Sequence, residues 1–321
     1  MDGGLTVLVA ARRMEAGDIV AIDLVSPDGA SLPPFAPGSH IDIELGPGLV
    51  RPSSLVGNPE SRNRYEIGVL RDPSSRGGSI KVHDSLHVGR EVRVSAPRNN
   101  FPLSEDAAEN LLFAGGIGVT PLLCMAEWLA SSGGAFTLHY AARTGASIAF
   151  RSRLDAPHLA PFVRLHLDDG APAQLIDPPR DIGQHRTGRH LYACGPAGFM
   201  EFVLGAARTL GWPELSLHRE YFSAAPPAAE GGDRAFTVRL SSDGREFTVP
   251  VGRTVAEVLI HAGLDIPLSC EQGVCGTCLT RVVDGRPDHR DLFLSDAEHL
   301  ANREFTPCCS RSLTPMLTLD L

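Results

Sequence analysis

Five of the seven cysteines in this 321-residue chain fall in its last 52 residues. Cys270, Cys275 and Cys278 stand as C-x4-C-x2-C in the run CEQGVCGTC, and Cys308 and Cys309 follow in FTPCCSR. Plant-type [2Fe–2S] centres use this asymmetric spacing, with three thiolates from one tight loop and a fourth from further along. A structural zinc site is the competing chemistry, but it favours two short-spaced pairs. Either Cys308 or Cys309 can supply the fourth thiolate. Gly273 and Gly276 lie between the loop ligands. Glycine there lets backbone amides turn toward cluster sulfurs, where hydrogen bonds tune the potential. The odd cysteine count argues against a disulfide framework.

A second set of residues suits phosphate. Leu111-Leu-Phe-Ala-Gly115-Gly116-Ile-Gly118-Val-Thr120-Pro121 reads as a strand, a glycine-rich turn and a helix start near Leu122. Bare amides at a helix N-terminus bind phosphate, although this is not the G-x-G-x-x-G fingerprint and a plain strand–helix turn is the bland alternative. Arg76-Gly77-Gly78-Ser79 precedes a short helical segment at Ile80–Leu86, and Arg51-Pro52-Ser53-Ser54 joins a cation to two hydroxyls. Both offer amides, hydroxyls and a guanidinium to an anion; the bland reading of Arg76–Ser79 is a polar turn. Cys194 lacks a visible base partner, so it reads as a small wall of a nicotinamide pocket rather than a nucleophile.

The elements that must position these residues fall into three blocks. Leu5–Arg12, Ile19–Val25, Ser39–Leu45, Tyr65–Leu70 and Glu91–Ser95 are short strands divided by Gly/Pro turns, as in a small antiparallel barrel. Strands ending at Gly115, Ala142, Leu167 and Cys194 alternate with helices, which implies an open parallel sheet. Its ligands belong at the strands' carboxyl ends, where Gly115–Pro121, Arg143 and Cys194-Gly195-Pro196 cluster. Ser223–Arg234 (SAAPPAAEGGDR) buries nothing and reads as a linker. Beyond it, strands at Phe236–Leu240 and Phe247–Val249, a capping box Thr254–Glu257, the cysteine loop and a last strand through Leu317, Leu319 and Leu321 fit a β-grasp.

The whole chain resembles the phthalate dioxygenase reductase family, which includes vanillate O-demethylase reductases. The motifs that carry the resemblance are Arg51–Leu55, Arg76–Ser79, Ala96–Leu103, Gly115–Pro121, Cys194–Pro196, His218-Arg-Glu220-Tyr-Phe222 and the C-terminal cysteines, in the family's order. The resemblance implies a multidomain chain: an FMN-binding antiparallel β-barrel over 1–103, an NAD-binding α/β parallel sheet over 104–223, a linker over 224–234 and a β-grasp [2Fe–2S] ferredoxin domain over 235–321. It implies FMN rather than FAD. Arg51, Ser53, Ser54, Gly77, Gly78 and Ser79 would hold the flavin and its phosphate, and Phe222 would lie against the ring. Gly115, Gly116, Gly118, Thr120, Pro121, Arg143, Cys194, Gly195 and Pro196 would take the dinucleotide. Thr120, Cys194 and Phe222 would surround the reacting rings. The family ends in Cys, one residue, then Ser-Arg, which selects Cys308 beside Cys270, Cys275 and Cys278 and leaves Cys309 as packing. Ser53 departs from the family, which has a flavin-stacking Tyr there. Stacked aromatic pairs are worth ~0.5–1.5 kcal/mol beyond buried area. Weaker FMN retention follows, or compensation by Tyr65 or Tyr221.

The implied activity is electron transfer from NADH through FMN and [2Fe–2S] to a terminal oxygenase, of the Rieske-type aromatic-ring dioxygenase or O-demethylase kind. A cytochrome P450 acceptor or a non-enzymatic redox sensor are the alternatives. A formal net charge of −9 argues against nucleic acid as partner. The most apolar stretch, Leu111–Ala130, is interrupted by glycine and proline, so no membrane span is expected, and no signal peptide is evident at the first residues. The expectation is a cytoplasmic monomer. Asp284, Asp288, Asp291, Asp296, Glu298 and Glu304 could form an acidic docking face, or ordinary solvated surface. Of possible 2′-phosphate cations, Arg143 lies near the second strand's end, with Arg151 and Arg153 further along; NADH is favoured over NADPH.

Overall fold

A computed structural model of the chain describes residues 4–73, 77–223 and 232–321. Arg76 and the linker residues 224–231 lie outside the described residues. The chain divides into two compact units, through Phe222 and from Ser223 onward.

The first unit opens with a closed antiparallel barrel. Its strands are β1 (Leu5–Ala16), β2 (Ile19–Val25), β3 (Ser39–Gly46), β4 (Leu49–Val56), β5 (Tyr65–Leu70) and β6 (Glu91–Val94), with short β7 (Arg98–Asn99) added beside β3. The order β4-β5-β2-β1-β6-β3 closes through pairing of β3 with β4. Val20, Ile22 and Leu24 of β2 fill the barrel. The alternate residues Ile19 and Ala21 face the next core instead. Both faces of β2 are thus covered, which explains a run apolar at nearly every position. Helix α1 (Gly78–Ser85) follows β5, close to the Ile80–Leu86 segment expected.

β4 was not legible as a strand, because Pro52 sits in its middle. Proline is tolerated where a strand has a neighbour on one side only. Residues 49–54 pair with β3 alone, and β5 joins only at Leu55 and Val56.

The nucleotide half is a five-stranded parallel sheet in the order β10-β9-β8-β11-β12. Its strands are β8 (Glu109–Gly115), β9 (Phe136–Ala142), β10 (Val163–Leu167), β11 (Arg189–Cys194) and β12 (Leu217–Glu220). Helix α2 (Val119–Ser132) covers one face; short α3 (Arg151–Leu154) and α4 (Pro178–Asp181) precede α5 (Ala197–Thr209), which covers the other. Leu122, Leu123 and Met125 of α2 are fully buried against Leu112, Leu138 and Tyr140 of the sheet and Ile19 and Val56 of the barrel. Each such side chain contributes about 1.5–3 kcal/mol, so one helix cements the two halves of the unit. The fifth strand, LHRE, shows too little apolar alternation to be read from sequence; it holds the edge by pairing with β11.

The second unit has the order β14-β13-β19-β15-β17, with β13 and β19 parallel. These are β13 (Phe236–Leu240), β14 (Glu246–Val249), β15 (Thr280–Asp284), β17 (Glu304–Phe305) and β19 (Met316–Leu319); β16 (Pro287–Asp288) and β18 (Arg311–Ser312) form a side hairpin. The capping box opens α6 (Val255–His261) as expected: Thr254 Oγ1 accepts from the Glu257 amide at 3.1 Å, and Glu257 accepts from Thr254 N. A second capping box, Ser295–Glu298, opens α7 (Asp296–Ala301). This is the β-grasp. Among the described residues, no helix is long and apolar enough to cross a membrane.

Candidate redox site

The carboxyl edge of the parallel sheet gathers the expected nucleotide residues. Cys194 lies in register between Ala114 and Glu220. The two glycine turns meet backbone to backbone: a Cβ on Gly118 would overlap the Cys194 carbonyl and sit 2.6 Å from Gly195 N. A Cβ on Gly195 would fall 2.9 Å from the Gly115 Cα, and one on Gly115 would meet Phe199 and Pro196. Gly115, Gly118 and Gly195 are therefore demanded by close approach. Gly116 adopts φ +54 with open space around its Cα. Beside this junction the N-termini of α2 and α5 carry no side-chain caps, with Gly118 and Pro196 in the cap positions. Two helix starts without side-chain caps thus lie at one sheet edge, an arrangement of the kind that binds phosphate. Pro121 sits in the first turn of α2, where a missing N–H costs nothing.

Thr120 is buried, with its hydroxyl donating to Ile117 O at 3.1 Å. A Cβ on Gly68 of the barrel would fall 2.7 Å from its methyl, so Thr120 seals barrel against sheet. Arg143 is exposed just beyond β9. Arg151 pairs with Asp155 at 2.7 Å. Arg153 is held by Glu127 and by Glu66 of the barrel, the latter at 3.0 Å. Two of the three arginines considered for a 2′-phosphate are thus already neutralised within the fold.

Glu220 was named in a motif but not singled out as a site residue. It ends β12, and its carboxylate accepts from the Ser54 hydroxyl at 3.3 Å, joining sheet to barrel. Burial pushes its carboxyl up to about 8, against the opposing pull of Ser54. Burial also pushes the Cys194 thiol well up, and the nearby Glu220 adds to this. Cys194 is fully buried, and that burial holds its thiol in the neutral form. Phe222, two residues on, is 37% exposed beside this junction. Ser53 is half-buried on β4 next to Ser54.

The start of α1 is the barrel's candidate anion seat. Gly77 caps α1 in the left-handed region without a side-chain bond, leaving the first amides of an eight-residue helix unclaimed by a cap. Arg51 lies across it: a Cβ on Gly78 would sit 2.5 Å from Arg51 Nε. Ser79 Oγ accepts from Asp72 N at 3.2 Å, which ties the incoming loop to α1. His40, in register with Ser54, was not foreseen. It is buried, and both its ring nitrogens lack a hydrogen-bond partner. Burial, then Arg98, push it down to about 4.

One expected compensation fails. Tyr65 cannot replace the missing stacking ring, because it lies in the barrel core with its hydroxyl donating to Pro33 O at 2.6 Å and Phe35 at its edge. Tyr221 is half-buried against the core beneath α5.

In the second unit the four sulfurs converge. Cys270 contacts Cys275 and Cys308, and Cys308 also contacts Cys278. The amides of Gln272 and Val274 donate to Cys270 Sγ at 3.4 Å. Hydrogen bonding to Cys270, with burial, pushes the Cys275 thiol up. Thiols packed this closely resist ionising together unless a cation compensates, which suits the donor set of an iron–sulfur cluster. Cys309 lies against Cys308 and meets Thr306 Oγ1 at 3.2 Å. Gly273 and Gly276 both take positive φ, and a side chain on Gly276 would strike the Phe293 ring.

The acidic face does not survive as drawn. Asp291 is buried and Asp288 pairs with Arg290 at 2.7 Å. Asp284, Asp296, Glu298 and Glu304 remain exposed.

Comparison with known proteins agrees with this geometry. Residues 238–313 match the 2Fe-2S iron-sulfur cluster binding domain family. The chain is 49% identical over 318 residues to vanillate O-demethylase oxidoreductase of Pseudomonas putida, covering 99% of this chain and 100% of that one. The chain belongs to the vanillate O-demethylase oxidoreductase and phthalate dioxygenase reductase family. Its fold matches the structure of phthalate dioxygenase reductase, described as modular for electron transfer from pyridine nucleotides to [2Fe–2S], with TM-score 0.76 and 38% identity over 100% of this chain and 98% of that one. It also matches an intact type IV self-sufficient cytochrome P450 monooxygenase, with TM-score 0.85 and 37% identity over 99% of this chain but 41% of the larger one. As a member of this family the chain is an electron-transferring oxidoreductase with a C-terminal [2Fe–2S] domain.

Proposed function

We propose that this chain is the reductase component of an oxygenase system, taking electrons from NADH through FMN and a [2Fe–2S] cluster to a separate terminal oxygenase of the Rieske type. The observation that carries the reading is the convergence of two seats in one unit. The Arg51–Gly78 anion seat and the glycine-lined sheet edge are joined by Ser54 and Glu220. Bound FMN would take the two electrons of one hydride and release them one at a time, as a one-electron cluster requires.

This chain's residues would bind and orient. Arg51 and the α1 amides would hold the single phosphate of FMN. Gly115, Gly116, Gly118, Gly195 and Pro196 would admit the dinucleotide backbone, and Phe222 would cover the flavin face. Glu220 would keep a neutral carboxyl near the ring junction at physiological pH, and Cys194 would exclude water. Cys270, Cys275, Cys278 and Cys308 would hold the irons, with Cys309 as packing. With Arg151 and Arg153 already paired, the reading is NADH over NADPH. We also read the division at 1–103, 104–223, 224–234 and 235–321 as functional domains. None of the seven cysteines is in a disulfide, which suits a reducing, cytoplasmic setting.

The match to a self-sufficient P450 gives a second reading, in which the acceptor is a P450 haem domain. A panel of purified acceptors separates the two. NADH-driven reduction of a Rieske oxygenase at rates well above those for P450s is expected. Preference for P450s would favour the second reading, and turnover with neither the oxygenases nor an artificial acceptor would overturn both.

A further inference from the structure

In the ferredoxin-type unit, beside the cysteine loop, three side chains from two segments meet. His289 follows β16, Asp291 lies two residues on, and His299 comes from α7. Asp291 Oδ1 stands 3.3 Å from His299 Nε2 and 3.7 Å from His289 Nδ1. The two imidazoles stack with centroids 4.4 Å apart. All three ligand atoms lie within 4.8 Å of one another.

We propose that His289, Asp291 and His299 form a binding site for a divalent first-row transition-metal ion of the zinc kind. Two ligands bound tetrahedrally at ~2.0–2.1 Å stand about 3.3–3.4 Å apart, close to the carboxylate–imidazole separations here. The second, independent observation is His289. Its side chain is 9% exposed, and among the described residues its ring nitrogens make no hydrogen bond, the nearest charged partner being Asp291 Oδ1 at 3.7 Å from Nδ1. A buried imidazole without a partner is costly unless something absent from the protein alone satisfies it. The carboxylate is aimed: Asp291 Oδ2 accepts from Leu294 N at 2.8 Å, while Oδ1 faces the imidazoles and accepts from Ser310 Oγ at 3.5 Å. Such outer hydrogen bonds orient metal ligands. Entry is open through His299, whose side chain is 25% exposed. Two imidazoles and one carboxylate suit zinc, nickel or iron(II) and not magnesium or calcium, which take oxygen ligands. The site abuts the cysteine loop: a Cβ on Gly273 would fall 2.8 Å from Asp291 Cβ, and Leu292 N donates to Gly273 O at 3.0 Å.

The probe is Zn²⁺ titrated against a competing indicator, using reductase loaded with flavin and iron and freed of adventitious metal. One equivalent per chain is expected, with iron content unchanged. His299→Gln, on the surface of α7, and His289→Gln should each weaken binding at least tenfold, since losing only an outer-shell partner costs ~10–100-fold. Unchanged iron content in His299→Gln guards against misfolding. His166→Gln, at the buried His139–His166 pair of the first unit, should leave the zinc affinity unchanged. No zinc equivalent in the wild type, wild-type affinity in both site variants, or loss on His166→Gln would each overturn the proposal.

Discussion

The flavin seat predicts a phosphate-specific defect. Arg51 is half-buried on β4, and its side chain lies against Gly78 at the uncapped start of α1. A hydrogen bond to a charged group is worth ~1.5–3 kcal/mol. Each ~1.4 kcal/mol is tenfold in affinity, so Arg51→Gln should weaken FMN binding by about 10–150-fold. Riboflavin carries the same ring and no phosphate, so its affinity should change little. Gly78→Ala tests the geometry separately. Its new Cβ would meet the Arg51 side chain, 2.5 Å from Nε and 2.6 Å from Cγ, so the whole side chain must shift and the phosphate contact is lost. Flavin fluorescence, titrated with apoprotein of each variant against FMN and riboflavin, gives the four affinities. Equal losses for both flavins, or no loss for either in Arg51→Gln, would refute the assignment of Arg51 to the phosphate.

Cys308→Ser should abolish iron retention while Cys309→Ser keeps it, as iron content and visible absorption of purified protein would show. Gly118→Ala forces a Cβ into the Cys194 carbonyl; overpacking of this kind costs ~1–3 kcal/mol, visible as a lower denaturant midpoint. Burial raises the Glu220 carboxyl to about 8 in the folded protein, well above the usual glutamate range near 4.5. Its stabilising contribution is thus complete below about 4.5, declines as pH rises toward 8 and is gone above it. Glu220→Gln should accordingly gain stability over wild type across that window, by at most about 5 kcal/mol, and chemical denaturation at pH 5 and pH 9 reads the difference.

Local chemistry was the most legible part of the sequence. The asymmetric cysteine spacing, the glycine turn at Gly115–Gly118 and the Thr254 capping box each depend on a few neighbouring residues, and each appears in the structure as expected. What escaped depends on partners distant in sequence. β4 hid behind Pro52 because its one-sided pairing is a property of barrel closure. β12 hid because an edge strand of four residues draws its stability from β11. Glu220 matters through Ser54, 166 positions away. Tyr65 misled because an aromatic near a ligand motif says nothing about which face of the barrel it occupies. The acidic run misled likewise: Asp291 shares its stretch with solvated carboxylates but turns inward to His299 and the Leu294 amide.

The central claim is that one chain carries hydride acceptance and single-electron exit together. The most direct test is the visible absorption spectrum of aerobically purified protein, recorded before and after anaerobic NADH, with the released flavin identified. Flavin bands near ~450 nm over broad iron–sulfur absorption, bleached by NADH, with FMN as the released flavin, are the predicted result. Protein that stays colourless after anaerobic reconstitution with iron, sulfide and FMN, or colour that NADH does not bleach, would contradict it.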